Sequence, residues 1–170
     1  MPFTPFHFGP GAVLKAAIPR HFSFSVFCFA QVATDIEVLA YMARGTDQLH
    51  GYFHTYVGAA GIGLFSVVVG RPVCRRFLRW WSSQPQVPLK EYYGGSAEIS
   101  FTQAVGGAFI GSLSHVFLDS IMHRDIRPFL PFNNSNSIFG VIGPGALHLV
   151  CFLLAVVGTL ICARIPKSKL

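Results

Sequence analysis

Four runs, 22–43, 52–70, 101–121 and 144–163, contain no Lys or Arg and only three acids, Asp35, Glu37 and Asp119. Each is long enough to cross a bilayer as a helix, which takes roughly 17–25 residues. A chain of 170 residues has too little polar sequence left over to bury four such helices in a soluble shell. Charged residues are 12% of the chain, hydrophobic residues 52%, and the mean hydropathy is +0.50. Soluble domains carry about 25% charged residues. Disorder, collagen and coiled coil are excluded by the same figures. The expected fold is all-α: one polytopic membrane bundle of four transmembrane helices, with a short N-terminal interfacial or re-entrant helix.

Local chemistry marks the boundaries. Pro19 precedes the first run, Arg71-Pro72 is expected to close the second, and Pro144 opens the fourth. Residues 71–81, with four arginines, Trp80 and Trp81, read as an amphipathic basic helix lying on the inner leaflet. The N-terminal helix is expected to break near Gly9-Pro10-Gly11. With four crossings, both termini and the loop 71–100 share one side. That side holds all 13 Lys and Arg except Arg44, Arg124 and Arg127, so it is expected to be cytoplasmic. The outer loop is 122–143. Membrane lipids are then the immediate partners, and nucleic acid is not expected despite the basic balance.

The rare polar groups inside the runs carry the functional argument. A charged side chain at mid-membrane costs about 2.5–3.5 kcal/mol on insertion scales, so intramembrane acids mark functional sites by default. At 1.5 Å rise per residue, Asp35 lies roughly 12 Å from the outer end of its helix and His115 roughly 9 Å. His148 lies at roughly 6 Å, and Asp119 and His54 at roughly 3 Å. Helices of alternating direction thus bring imidazoles and carboxylates into one layer of the outer half. His50 and His54, His115 and Asp119, and Asp119 and His123 are each spaced i, i+4, which places each pair on one helical face.

A His/Asp set without thiolates suits a divalent ion, with Zn²⁺ or Mn²⁺ expected first. Cys28, Cys74, Cys151 and Cys162 lack C-x-x-C spacing and read as small apolar fillers. Asp35 and Glu37 stand about 200° apart on a regular helix, so Asp35 ranks above Glu37 as a ligand. Arg124 and Arg127 in the outer loop are candidates to clamp an anionic substrate. Gly107 and Gly111, with Gly58 and Gly61, are expected to let the second and third spans approach closely.

The pattern resembles the membrane-bound metal-dependent hydrolase family of the LexA-regulated inner-membrane protein. Its features occur here in order: His7; Asp35-Ile36-Glu37; the double-His segment His50-Gly51-Tyr52-Phe53-His54-Thr55; Ser114-His115 followed by Asp119; and the pairs Pro128-Phe129 and Pro131-Phe132. Gly51 stands where the family has Arg. The resemblance implies a bacterial inner-membrane enzyme and adds His7, Glu37 and His50 to the ligand candidates Asp35, His54, His115 and Asp119. It implies hydrolysis of a lipid-linked or membrane-accessible substrate, with a phosphoester favoured by Arg124 and Arg127. Asp35 or Glu37 would take a proton from a water that the ion activates. A divalent-metal transporter is the rival reading. It needs polar groups along the whole path, and the inner halves of the spans offer little beyond Gln31 and Gln103.

Overall fold

A computed structural model describes residues 5–83 and 98–165. After a single 3₁₀ turn, Pro5–Phe8, the helices are α1 (Gly9–Ala17), α2 (Phe24–Ala43), α3 (Tyr56–Phe65), α4 (Arg71–Ser83), α5 (Phe101–Met122) and α6 (Pro144–Arg164). The described residues contain no strand. Four helical runs are long and apolar enough to cross a membrane: α2, Tyr56–Ser83, α5 and α6. This is the architecture of an integral membrane protein, and the helical bundle expected from the sequence.

Each helix start has a local cause. Ser23 caps α2 by accepting from Val26 N. Thr55 caps α3 by accepting from Gly58 N at 2.9 Å. Ser100 and Gln103 form a reciprocal capping box on α5, and Gln103 Nε2 also donates to the Pro19 carbonyl. Pro144 occupies the first turn of α6, where its missing N–H costs nothing.

Two expected breaks are absent. Arg71-Pro72 does not end the second span. A π-helical segment, Ser66–Gly70, carries α3 directly into α4, and the Arg71 N–H reaches back to the Ser66 carbonyl. The wider turn accommodates Pro72, which lacks an N–H and would clash with an ordinary preceding turn. The basic stretch is therefore the continuation of a spanning helix. Arg75 and Arg79 pair with Glu98 (2.7 Å for Arg79), and Arg71 Nε donates to the Ile99 carbonyl. Nor does Gly9-Pro10-Gly11 break the N-terminal helix; it forms the first turn of α1.

Helix α1 is a half-length element that runs from the outer half of the bundle to the start of α2. Gly9 opposes the Cys151 carbonyl and Ala12 opposes Gly158, so α1 runs parallel to α6 in close contact. Its N-terminal end therefore begins at the depth of the first turns of α6, where Phe6 stacks on His148 at 4.8 Å between ring centroids. Its C-terminal end returns to the start of α2. This places His7 inside the outer half of the bundle, at the opposite end of α1 from the start of α2.

Glycines set the other close contact, with a partner different from the expected one. The backbone at Gly107 abuts the Ser23 carbonyl and that at Gly111 abuts the Phe27 carbonyl, so this G-x-x-x-G stripe clasps α2. Helix α3 meets α5 through Gly63 and Phe109 instead. Below the polar layer, Val26, Val67, Leu78, Ile99, Ala104 and Ala108 form a buried apolar cluster. The outward face of α6, including Leu149, Phe152, Leu153 and Val156, is left exposed for lipid.

Candidate metal centre

The clasp between α2 and α5 brings Asp35 opposite His115 and Asp119, and the turn before α3 adds His54. These four side chains offer ligand atoms that all lie within 4.8 Å of one another. With His7 they are only 0–7% exposed. His115 Nε2 lies 3.1 Å from Asp119 Oδ2 and 3.3 Å from Asp35 Oδ1. His54 Nε2 lies 3.6 Å from Asp119 Oδ2 and 3.9 Å from Asp35 Oδ1. His7 Nε2 approaches Asp119 from the other side, 3.3 Å from Oδ1.

The outer nitrogens of two rings are already engaged, and this decides what faces the centre. His54 Nδ1 lies 3.2 Å from Glu37 Oε2; a carboxylate can only accept, so Nδ1 carries the proton. Gln31 Nε2 donates to the His7 carbonyl and to Ser114 Oγ, which fixes the amide so that its oxygen faces His115 Nδ1 at 2.6 Å. His115 Nδ1 is then the donor as well. In a neutral ring each Nε2 therefore presents a lone pair to carboxylate oxygens. His7 Nε2, His54 Nε2 and His115 Nε2 are all buried without a hydrogen bond of acceptable geometry, the short His115–Asp119 distance included. A buried polar atom without a partner costs about 1–3 kcal/mol. Three such nitrogens around two carboxylates fit a divalent cation, and this buried Asp/His cluster could hold one.

Glu37 resolves the angular difficulty posed by its place on α2. It does not turn toward the cluster. Its Oε2 accepts from Gly51 N and Phe53 N, each at 3.0 Å, as well as from His54. It thus holds the Tyr52–His54 turn and orients the imidazole from behind, while Asp35 faces the front of the same ring. Gly51 lets both side chains approach closely: a Cβ there would stand 2.6 Å from Glu37 Oε1 and 2.7 Å from the Tyr41 hydroxyl, so the ends of both side chains would have to shift to admit one.

His50 is not on a helical face with His54, because residues 44–51 are not helical and the turn is only Tyr52–His54. The two rings still meet edge to face, 4.7 Å apart. His50 Nδ1 contacts Asp125 Oδ2 at 2.8 Å, and its ring lies 4.5 Å from that of His123. Burial, and His54 beside it, hold the His50 imidazole below its usual pKa, so the ring is neutral at neutral pH. Asp125 thereby pairs with His50 rather than with an arginine. Arg127 is exposed and lines an outer cavity of about 390 Å³ together with Tyr41, Gln48, His50 and Asp125. Arg124 is exposed and is not among the residues lining that cavity. His148 stacks on Phe6, and His21 is exposed at the opposite end of the bundle.

Sequence reasoning noted His123 one turn beyond Asp119 and Gln31 only as an inner polar residue, and it left Gln31, His123 and Asp125 out of the ligand and orienting set. Gln31 lies one turn before Asp35 on the same face, and that i, i+4 spacing was the available signal. Orienting groups behind metal-ligating histidines typically contribute 10–100-fold in affinity. Gln31→Leu, which keeps the volume and removes the acceptor, is therefore expected to weaken metal retention about 10–100-fold, read by competition with a calibrated chelator.

No family model matches this chain, and no curated protein or solved structure is significantly similar to it. The chemistry of the cluster carries the functional reading on its own.

Proposed function

We propose that this protein is a membrane-embedded, metal-dependent hydrolase, of the family it resembles, that acts on a lipid-linked phosphoester from the outer face of a bacterial inner membrane, with the C-terminal end of α6 on the cytoplasmic side. The observation that carries the reading is the set of three buried histidine Nε2 atoms, without hydrogen-bond partners, aimed at Asp35 and Asp119. Asp35, His54, His115 and Asp119 would hold the ion, with His7 against the other oxygen of Asp119, and Zn²⁺ or Mn²⁺ is best suited to these donors. A divalent ion bound there supplies Lewis-acid polarisation and lowers the pKa of water to about 7.

The chain's own groups supply the rest. A cavity of about 50 Å³, lined by His7, Gln31, Asp35 and His115 among others, has room for a water beside the cluster. Asp35 lines it and is placed to accept a proton, whereas the Glu37 carboxylate is engaged in orienting His54. Arg127 offers a planar fork to a phosphate entering the outer cavity. Leu130 lines both that cavity and a neighbouring apolar groove of about 370 Å³ lined by Tyr56, Val57, Phe129 and Phe132. A cavity bearing Arg127, His50 and Asp125 beside an apolar groove suits a substrate with a charged head and a hydrocarbon tail. Beneath the site the apolar cluster of Val26, Val67, Ala104 and Ala108 is accompanied by only a few buried polar side chains, Lys15, Ser66 and Ser112 among them, fewer than a polar permeation path calls for.

The test is hydrolysis by protein reconstituted in lipid nanodiscs, stripped with chelator and restored with Mn²⁺ or Zn²⁺, against a panel of fluorogenic phosphomonoester and phosphodiester lipids. Metal-dependent turnover is expected, with kcat lowered at least about 100-fold in Asp35→Asn, the range in which a lost general base acts. Turnover indifferent to chelation, or none across the panel, would sink the assignment. Accumulation of metal in vesicles that requires His54 would replace it with transport.

A further inference from the structure

Next to the Asp35/His54/His115/Asp119 cluster, His50, His123 and Asp125 form another group whose ligand atoms all lie within 4.8 Å of one another. They come from two parts of the chain. His50 precedes the turn that carries His54, His123 ends α5, and Asp125 follows in the outer loop. The two groups meet at Asp119. Its Oδ2 faces His54 and His115, while its Oδ1 lies 3.3 Å from His7 Nε2 and 4.0 Å from His123 Nε2. The His50 ring also touches that of His54, 4.7 Å away.

We propose that His50, His123 and Asp125 bind a second divalent cation, with Asp119 as the carboxylate shared between two ions. The proposal rests on reading the first cluster as a metal centre. Two imidazoles with carboxylate oxygens and no thiolate are the donor set of Zn²⁺, Mn²⁺ or Fe²⁺. The geometry also explains why this group lies toward the cavity: His50 and Asp125 line the 390 Å³ chamber that Arg127 shares. An ion there stands between the buried cluster and an incoming phosphate. Paired ions bridged by a carboxylate can steady both the attacking and the leaving oxygen of a phosphoryl transfer. His123 and Asp125 are only half-buried, so the second ion exchanges faster than the first.

The test counts ions on untagged, purified protein in detergent. Apo protein is titrated with Mn²⁺, and bound metal is measured by elemental mass spectrometry beside the electron paramagnetic resonance spectrum. Two ions per chain with a spin-coupled signal are expected. The double variant His123→Ala/Asp125→Asn should hold one ion with the spectrum of an isolated centre. One ion in the wild type, removed by His54→Ala, overturns the second site and leaves the hydrolase reading standing; His50 and Asp125 are then a plain hydrogen-bonded pair. No ion in well-folded wild type overturns both. The wild-type stoichiometry and spectrum decide the matter even if the double variant fails to fold.

Discussion

Asp119→Ala is expected to strip the protein of metal altogether. Among the described residues, this is the carboxylate that faces both groups of histidines, with one oxygen toward His54 and His115 and the other toward His7 and His123. Removing a group that orients a ligand already costs 10–100-fold in affinity, so removing the shared ligand should cost more than about 100-fold. Elemental mass spectrometry after dialysis reads the loss, and circular dichroism reports whether the helices persist. Retention of stoichiometric metal by folded Asp119→Ala protein would remove Asp119 from the centre. The expected loss exceeds that for His50→Ala, whose ring is directed toward Asp125 and His123 and should cost no more than the outer ion.

Gly107→Ala should unseat the bundle. Its Cβ would run into the Ser23 carbonyl oxygen and stand 3.1 Å from Phe27 N, and both are backbone atoms that cannot swing aside. Overpacking of this kind costs about 1–3 kcal/mol, and here it pushes α2 away from α5. Asp35 and Gln31 ride on α2 while His115 and Asp119 ride on α5, so the metal centre opens as the contact does. The expected result is a lowered melting temperature together with weakened metal retention. Gly61→Ala is the control: nothing lies within 4 Å of its added Cβ, and the exchange raises helix propensity. If Gly107→Ala melts like Gly61→Ala, the α2–α5 clasp is not where the centre is built.

The bundle and the depth of the site were legible in the sequence for simple reasons. Four charge-poor runs of spanning length can only be helices in a bilayer, since no water is present to satisfy an irregular backbone. Depth along each run follows from helix rise alone, so Asp35, His54, His115 and Asp119 could be placed in one layer before any contact was known. Their convergence follows from that layer together with the tight packing of neighbouring helices.

Which faces of those helices meet was decided by tertiary structure. Gly107 and Gly111 announce a close approach, but a stripe of small residues does not name the helix that uses it, and α2 took the place expected for α3. Periodicity assumes a regular helix, so it misplaced His50, which precedes a 3₁₀ turn, and ended the second span at Pro72, which a π-helical turn accommodates. The position of His7 depends on α1 lying along α6, through a contact at Gly9 and Gly158 between residues about 150 positions apart in sequence, with no periodic signal linking them. The division of labour between Asp35 and Glu37 was likewise a tertiary matter. Helix geometry could say that they point apart; only the His54 ring, inserted between them, let one carboxylate face the centre while the other grips the ring from behind. Length, apolarity and helical rise are properties of one segment read alone, and the sequence determined what depends on them. Partner, register and ring orientation are relations between segments, and those were set by the packing.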